Sequence, residues 1–563
     1  MIDGLNPALI LIFGALLVPL FPQPWRTAYV IALPLVSMLQ LVLHPYGSFA
    51  EVPLYEMTLE TFRLDGLSFV FGLIFHIAAV LGVIYALHDD DPVHPTAGLL
   101  YAGSAIGAAF AGDLVTLFVY WELTAASSVF LIWARRTESA FKAGMRYLII
   151  QIGSGVILLA GLVLHYNESG SITFAAMDLD TVGGKLIFLA FGIKCAFPFL
   201  HNWLQDTYPE ATASGTVLLS AFTTKLAVYA LARGYAGTDM LIWIGAAMTA
   251  FPIFYAVIEN DLRRVLAYSL NNQLGFMVVG IGIGTQLSIN GAAAHAFCHI
   301  LYKALLFMSM GAVLLRAGTC KGSELGGLYK SMPFTTVCCI IGAASISAFP
   351  LFSGFVSKSM IVSAVAYEHL TVVWLMLIFA SAGVFHHSGI KIPYFAFFAH
   401  DSGIRCEEAP LSMRIAMGIT AALCIGIGVF PGLLYAILPY PVDYVPYTTA
   451  HVITQLQLLM YSALAFTVMM VWKIYPPELR SVVLDTDWFY RRLLARTVPP
   501  ALDAVFDRVY HAQAYALTTT IVAVKRAGSA FARSALARDN QSTNMVTWAV
   551  LALAVSIAWG MRG

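Results

Sequence analysis

The chain has 563 residues, of which 59% are hydrophobic and 11% charged, with 31 Lys+Arg against 31 Asp+Glu. A mean hydropathy of +0.79 excludes a soluble globular domain and marks a polytopic membrane protein. Zero formal net charge leaves no electrostatic case for nucleic-acid binding.

The first apolar run, 7–21, has no basic leader and no small-residue cleavage site, so it is read as a retained helix. Runs of spanning length follow near 28–43, 66–87, 95–112, 114–133, 145–166, 185–203, 214–236, 240–258, 265–285, 290–315 and 333–350. The series ends with 354–399, which is broken, then 411–438, 453–473 and 545–561. It predicts an all-α polytopic membrane protein of about 14–16 transmembrane helices. Trp and Tyr near many run ends suit interfacial belts.

Arg135, Arg136, Lys142 and Arg146, then Arg263 and Arg264, then Arg316, Lys321 and Lys330 fall on one side if the helices alternate. The positive-inside rule makes that side cytoplasmic and, for an even count, sends both termini outward. The acidic loop from His88 to His94 obeys the rule poorly. Residues 474–544 are charged and contain proline, and they predict an interfacial or cytoplasmic amphipathic extension. That extension reads either as a solvated connector or as a helix docked on a neighbouring subunit.

The seven cysteines lie mostly in or beside apolar runs without a Cys-x-x-Cys pair. They read as packing residues, and no cofactor is expected.

Lys194, Lys225, Lys303, Lys391 and Glu122 each interrupt an apolar run. An ionised group at bilayer depth costs roughly 2.5–3.5 kcal/mol on insertion scales, so five of them point to a charge pathway. Gly192-Ile-Lys-Cys-Ala-Phe-Pro-Phe199 is echoed by Gly389-Ile-Lys-Ile-Pro-Tyr-Phe-Ala396. In each, a proline just after the lysine predicts a broken helix, and paired broken helices are a sign of a repeat-built transporter. Lys194 is the natural partner for Glu122, forming a switchable pair.

His295, His299 and Lys303 stand at i, i+4 and i+8, one helical face. Proton hopping, a chelated metal and a merely hydrogen-bonded pair all fit two such histidines. The absence of a third ligand at suitable spacing disfavours metal. His387 shares a face with Lys391 and extends that cluster.

These stretches, taken jointly, resemble the antiporter-like subunits shared by Mrp-type cation/proton antiporters, respiratory complex I and membrane-bound hydrogenases. The resemblance is carried by Phe118–Leu123, Ile193–Asp206, Ser220–Lys225, Asn260–Ser269 and His295–Phe307, and spans roughly residues 60 to 440. The D-type member of the Mrp assembly looks nearest. The family reads Pro where this chain has Gln205.

The resemblance implies two inverted five-helix repeats with broken helices. The corresponding divisions are 1–95, 96–236 (first repeat), 237–400 (second repeat), 401–473, 474–544 and a terminal helix at 545–563. It implies proton transfer along Glu122, Lys194, Lys225, His295, His299, Lys303 and Lys391, with Lys391 at the second broken-helix position. Asp113, His201, Asp206, Arg263 and His387 are expected in support.

The implied activity is proton translocation in a multisubunit Na⁺/proton antiporter of a bacterial inner membrane, beside other membrane subunits. A redox-driven pump subunit of complex I or a hydrogenase is the alternative. A proton-conducting partner in inorganic-carbon uptake is another.

Overall fold

The computed structural model describes residues 4–479 except 24 and 56, together with parts of 483–526. The chain divides into two compact units, Met1–Val483 and Leu484–Gly563.

The first unit is a helical membrane bundle. It opens with α1 (Pro7–Leu17), α2 (Trp25–Leu43) and an antiparallel hairpin of β1 (Gly47–Leu54) and β2 (Met57–Leu64). It continues through α3 (Gly66–Ala86), α4 (Val93–Phe110), α5 (Leu114–Trp133), α6 (Glu138–Ser169), α7 (Val182–Lys194) and α8 (Asn202–Thr207). Then come α9 (Ala213–Ala221), α10 (Thr223–Gly234), α11 (Asp239–Ile258), α12 (Leu262–Ile283), α13 (Gln286–Ala317), α14 (Pro333–Ile346) and α15 (Ser353–Tyr367). The unit closes with α16 (Thr371–Val384), α17 (Lys391–Pro393), α18 (Leu411–Val429), α19 (Pro431–Tyr435) and α20 (Thr449–Val471).

Among the described residues, ten helices are long and apolar enough to cross a membrane. Counted as single spans there are α9 with α10, and 371–398 with α16 and α17 inside it. The other apolar runs read from the sequence form helices that are shorter or more polar: α1, α4, α7, α12, α14 and α15. The expected last span, 545–561, lies outside the described residues.

Burial sorts these helices into layers. The α9–α10 window is 100% buried and that of α13 is 89%, whereas α20 is only 11% buried. The helices carrying Lys225 and the histidine stripe are thus walled off by protein, and the outer ones present apolar side chains such as Met460 and Leu464 outward. Small residues set the closest approaches. A Cβ on Gly245 of α11 would stand 2.6 Å from the backbone N of Val279 on α12, so only glycine admits this packing.

The hairpin was not foreseen in the sequence. Its strands turn at Tyr55, which has φ 52° and lies fully in the open. Glu60 accepts a backbone hydrogen bond from Gly112 at 2.9 Å, and Arg63 donates to Phe174 O at 2.7 Å. The otherwise exposed strand pair is thereby tied to the α4–α5 turn and to the segment after α6.

The two lysine–proline segments do not behave alike. After Lys194 the helix stops, with Ala196 and Phe199 at positive φ before α8 begins. After Lys391 it does not stop, which corrects the expectation of a second broken helix there. The turns Phe385–Ile390 and Tyr394–Phe398 are π-helical and flank α17. The wider turns absorb the missing N–H of Pro393. The second outright break in an apolar run falls instead between α14 and α15, where Ala348 and Leu351 have positive φ.

In the second unit the described residues include a π-helical turn, Phe489–Leu494, with Asp487 paired to Arg491 at 2.8 Å.

Candidate functional site

Glu122 sits mid-way along α5 with Oε1 buried against Gly155 of α6. Lys194, the last residue of α7, is fully buried. Its Nζ lies 4.4 Å from the Trp121 ring centroid, donates to Trp121 O at 2.6 Å and donates to Thr124 Oγ1 at 2.9 Å. Glu122 and Lys194 act on one another electrostatically, but the ammonium hydrogen bonds go to the carbonyl and hydroxyl of α5.

Lys225 follows the α9–α10 interruption at Phe222. Its Nζ donates to Ser220 O at 2.6 Å and to Thr224 Oγ1 at 3.1 Å. The carbonyl is free to accept because the helix breaks there. The charge of Lys225 reaches His295, His299 and Lys303.

On α13, His295 contacts Ser357 Oγ at 3.1 Å through Nδ1 and Gln273 Oε1 at 3.2 Å through Nε2. The ring centroids of His295 and His299 are 6.3 Å apart. Both ring nitrogens of His299 and Nζ of Lys303 are buried without a hydrogen-bond partner among the described residues. Such groups are costly unless water or a transferred proton satisfies them.

Lys358 on α15 was missed in the sequence and belongs to the same cluster. It is 3% exposed, donates to Ile346 O at 3.0 Å, and lies 5.1 Å from the Phe276 ring centroid. Ile346 ends α14, so its carbonyl has no helical partner, as with Ser220 and Lys225. The signal was available: Lys358 interrupts an apolar run just after Pro350 and Gly354.

His387 lies next along the row. Its Nδ1 meets Ser388 Oγ at 2.9 Å, and Ser388 donates to Ser269 Oγ at 2.7 Å. The charges of Lys303, Lys358 and Lys391 all act on it. Lys391 is fully buried and donates to the carbonyls of Ala256, Val257 and Glu259 at 3.2, 2.7 and 2.6 Å.

The residues expected in support lie apart from this row or beside it. Asp113 caps α5, accepting from Thr116 N and Thr116 Oγ1, both at 2.7 Å. Asp206 pairs with Arg146 at 2.6 Å, and His201 packs on Phe251 with centroids 4.6 Å apart. Gln205, the departure from the family pattern, has a buried amide with no partner among the described residues. Arg263 is 2% exposed and donates to the carbonyls of Pro209, Tyr208, Ala211 and Thr212 and to Thr216 Oγ1. It holds the α8–α9 connection together.

Residues 111–385 match the family model described as NADH:quinone oxidoreductase/Mrp antiporter, TM. The chain is 28% identical over 431 residues to hydrogenase-4 component B of Escherichia coli, covering 66% of this chain and 63% of that protein. It is 30% identical over 313 residues to the D component of a Na(+)/H(+) antiporter of Alkalihalophilus pseudofirmus, covering 52% of this chain and 63% of that one. It thus spans less than two thirds of either relative. In fold it resembles a chain of the Mrp complex from Dietzia sp. DQ12-45-1b, with TM-score 0.77 and 23% identity, covering 93% of this chain and 62% of that chain. In this multi-pass membrane protein the lysine-bearing interruptions after α7, between α9 and α10 and between α14 and α15 all fall inside the segment that is similar to the transmembrane region of the NADH:quinone oxidoreductase/Mrp antiporter family.

Proposed function

We propose that this chain is the proton-conducting subunit of a multisubunit assembly in a bacterial inner membrane, exchanging protons for a monovalent cation such as Na⁺. The observation that carries the reading is a row of ionisable side chains that starts at the half-buried Glu122, whose Oε1 is enclosed, and runs through the buried Lys194, Lys225, His295, His299, Lys303 and Lys358 to His387 and Lys391. Several have polar atoms with no fixed partner among the described residues, as a file that relays protons through water requires. Two halves, 96–236 and 237–400, each carry an interrupted helix with a buried lysine at or after the interruption, which fits a pair of inverted repeats.

The test is cation/proton exchange in inverted vesicles from cells producing the whole assembly. Lys225→Ala and Glu122→Ala are each expected to abolish exchange without loss of membrane-inserted protein. Normal exchange in either variant overturns the assignment.

The similarity to hydrogenase-4 component B favours a second reading, a pump component powered by redox neighbours. Co-purification with iron–sulfur subunits, and proton transport that needs an electron donor rather than Na⁺, would select it.

A further inference from the structure

Beyond α20 the chain makes an abrupt reversal. Lys473 takes φ 56°, and the backbone N–H groups of Ile474 and Tyr475 both bond to Met469 O, at 2.9 and 3.1 Å. This double bond wraps the end of α20 and sends the following residues back over the bundle. Tyr475 then anchors them. It is 7% exposed and stacks on His386 at 5.4 Å between centroids, with Phe466 at 5.2 Å and Phe395 at 6.0 Å. Pro476 and Pro477 fix the next two φ angles and donate no hydrogen bonds. The first residue after this stiff spacer is Glu478.

Its side chain is only 5% exposed, and Oε1 lies 2.9 Å from Nζ of Lys391. All three N–H groups of Lys391 are taken by the carbonyls of Ala256, Val257 and Glu259. The ion pair therefore forms off the hydrogen-bond axis, and both Glu478 oxygens are buried without a hydrogen-bond donor among the described residues. A Cβ on Gly322 would touch Oε2 at 3.4 Å, so the carboxylate abuts the loop bearing Lys321 on the basic end of the bundle.

A buried pair built for stability would have its carboxylate satisfied. This one is poised to accept a proton.

We propose that Glu478 is the proton acceptor of Lys391, and that the pair forms the terminal step of the file at the basic face. The inference rests on the proton-conducting reading above. In the step, the ammonium swings one N–H from Ala256 O, its longest bond, onto Glu478. The N–H bond breaks, an O–H bond forms, and a neutral amine and a neutral carboxylic acid remain. The acid then gives the proton to water at the loop, and the reverse sequence serves uptake.

Glu478 faces Lys391 from the 385–398 turns and Glu259 from the end of α11; behind them stand His386, stacked on Tyr475, His387, on which Lys391 acts, and Arg264 of α12, which lies 3.9 Å from Glu259. Lys321 on the abutting loop is paired with Glu324 at 3.7 Å. Burial pushes the Glu478 carboxyl above its ordinary range and outweighs the opposing charge of Lys391.

The experiment measures proton transport against pH in vesicles holding the complete assembly, with Lys225→Ala as the reference. Glu478→Gln keeps shape and removes the titrating group. It is expected to slow transport by about a hundredfold, the lower end for a lost general acid–base group, and to abolish the acid limb of the profile. Glu478→Asp is expected to restore part of the rate together with that limb. A slower Glu478→Gln with the acid limb intact means a structural role and overturns the proposal. So does an unchanged rate and profile while Lys225→Ala is dead. Full transport in Lys225→Ala instead overturns the proton-conducting reading itself. Should Glu478→Gln not accumulate, Glu478→Asp decides alone: lowered transport with a displaced acid limb supports the pair, and wild-type behaviour overturns it.

Discussion

The carboxylate of Glu122 occupies the space that any side chain at Gly155 would fill. A Cβ built on Gly155 falls inside contact distance of Glu122 Oε1, Cδ and Cγ alike, so the glycine is the reason a glutamate fits between α5 and α6. A methyl group there must push the carboxylate away from Lys194. Gly155→Ala is expected to lower transport by about a hundredfold, the scale of a roughly 1 Å misplacement. Gly153 on the same helix has nothing within 4 Å of its Cβ position. Gly153→Ala is therefore the matched control and should transport normally. Equal transport in both variants would falsify this account of Gly155.

Lys358 offers a sharper separation of function from stability. Its ammonium meets one carbonyl and an aromatic ring inside the core, with no carboxylate paired to it among the described residues. Replacing a buried ion by an apolar side chain of similar volume is often neutral or stabilising, by about 1–4 kcal/mol for pairs. Lys358→Met is expected to abolish transport while leaving thermal stability in detergent unchanged or raised. Transport at the wild-type rate would remove Lys358 from the pathway.

Arg263 should behave in the opposite way. Its guanidinium joins four carbonyls around the α8–α9 connection and is the bond those acceptors share. Pro209 O, Tyr208 O and Thr212 O keep donors in Arg135, Ala211 and Thr216, but Ala211 O loses its donor among the described residues. A buried acceptor left unsatisfied costs about 1–3 kcal/mol, so Arg263→Ala is expected to lower the amount of folded protein. Arg263→Lys should recover little, because a lysine cannot reproduce the planar fork. Quantifying monodisperse protein by size-exclusion chromatography checks both; normal yield of Arg263→Ala refutes the cage.

Asp65 supplies a pH-dependent contribution outside the bundle interior. It caps α3 through Ser68 and receives Arg233 on both oxygens, at 2.8 and 2.7 Å. Burial pushes its carboxyl up, but the Arg233 charge and the bonds from Ser68 and Arg233 prevail, so the group is held below its ordinary range. A lowered native value means the unfolded chain binds the proton more readily. The stabilisation is then present above about pH 4, the unfolded value of an aspartate, and is lost as the pH falls through the native one. The gap in melting temperature between wild type and Asp65→Asn should be widest near neutrality and narrow below about pH 4. A gap independent of pH would sink this assignment.

The outline of the bundle was legible because a spanning helix must be apolar over its length, and the runs show that plainly. Lys194, Lys225 and Lys303 were equally legible, since a lysine in an apolar run stands out wherever the fold puts it. Lys358 has the same signature, yet the lysine–proline echo at Lys391 drew attention to the wrong interruption. Proline shows that a hydrogen bond is missing but not whether the chain breaks or widens its turn in answer. Ala196, Phe199, Ala348 and Leu351 at positive φ mark the real breaks, and none is a residue type that announces such a conformation. The hairpin at 47–64 was hidden because its two faces are mixed, with Phe62 buried and Val52 exposed, so neither periodicity dominates. Glu478 was hidden for a different reason: its importance comes from a reversal at Lys473 that brings it to a residue 87 positions earlier in the chain.

The π-helical turns around Lys391 carry a mechanical implication. Such a turn holds one residue more than its neighbours, and by absorbing the surplus it keeps the helix on either side in step. Excising a single residue from one of the two turns would let that turn relax into regular α geometry with its flanks still in step. Excising one from the regular helix before it would instead rotate everything beyond by about 100°. The azimuth of one ammonium group is thus set by counting residues, and a shift between turn types could swing it without uncoiling the helix.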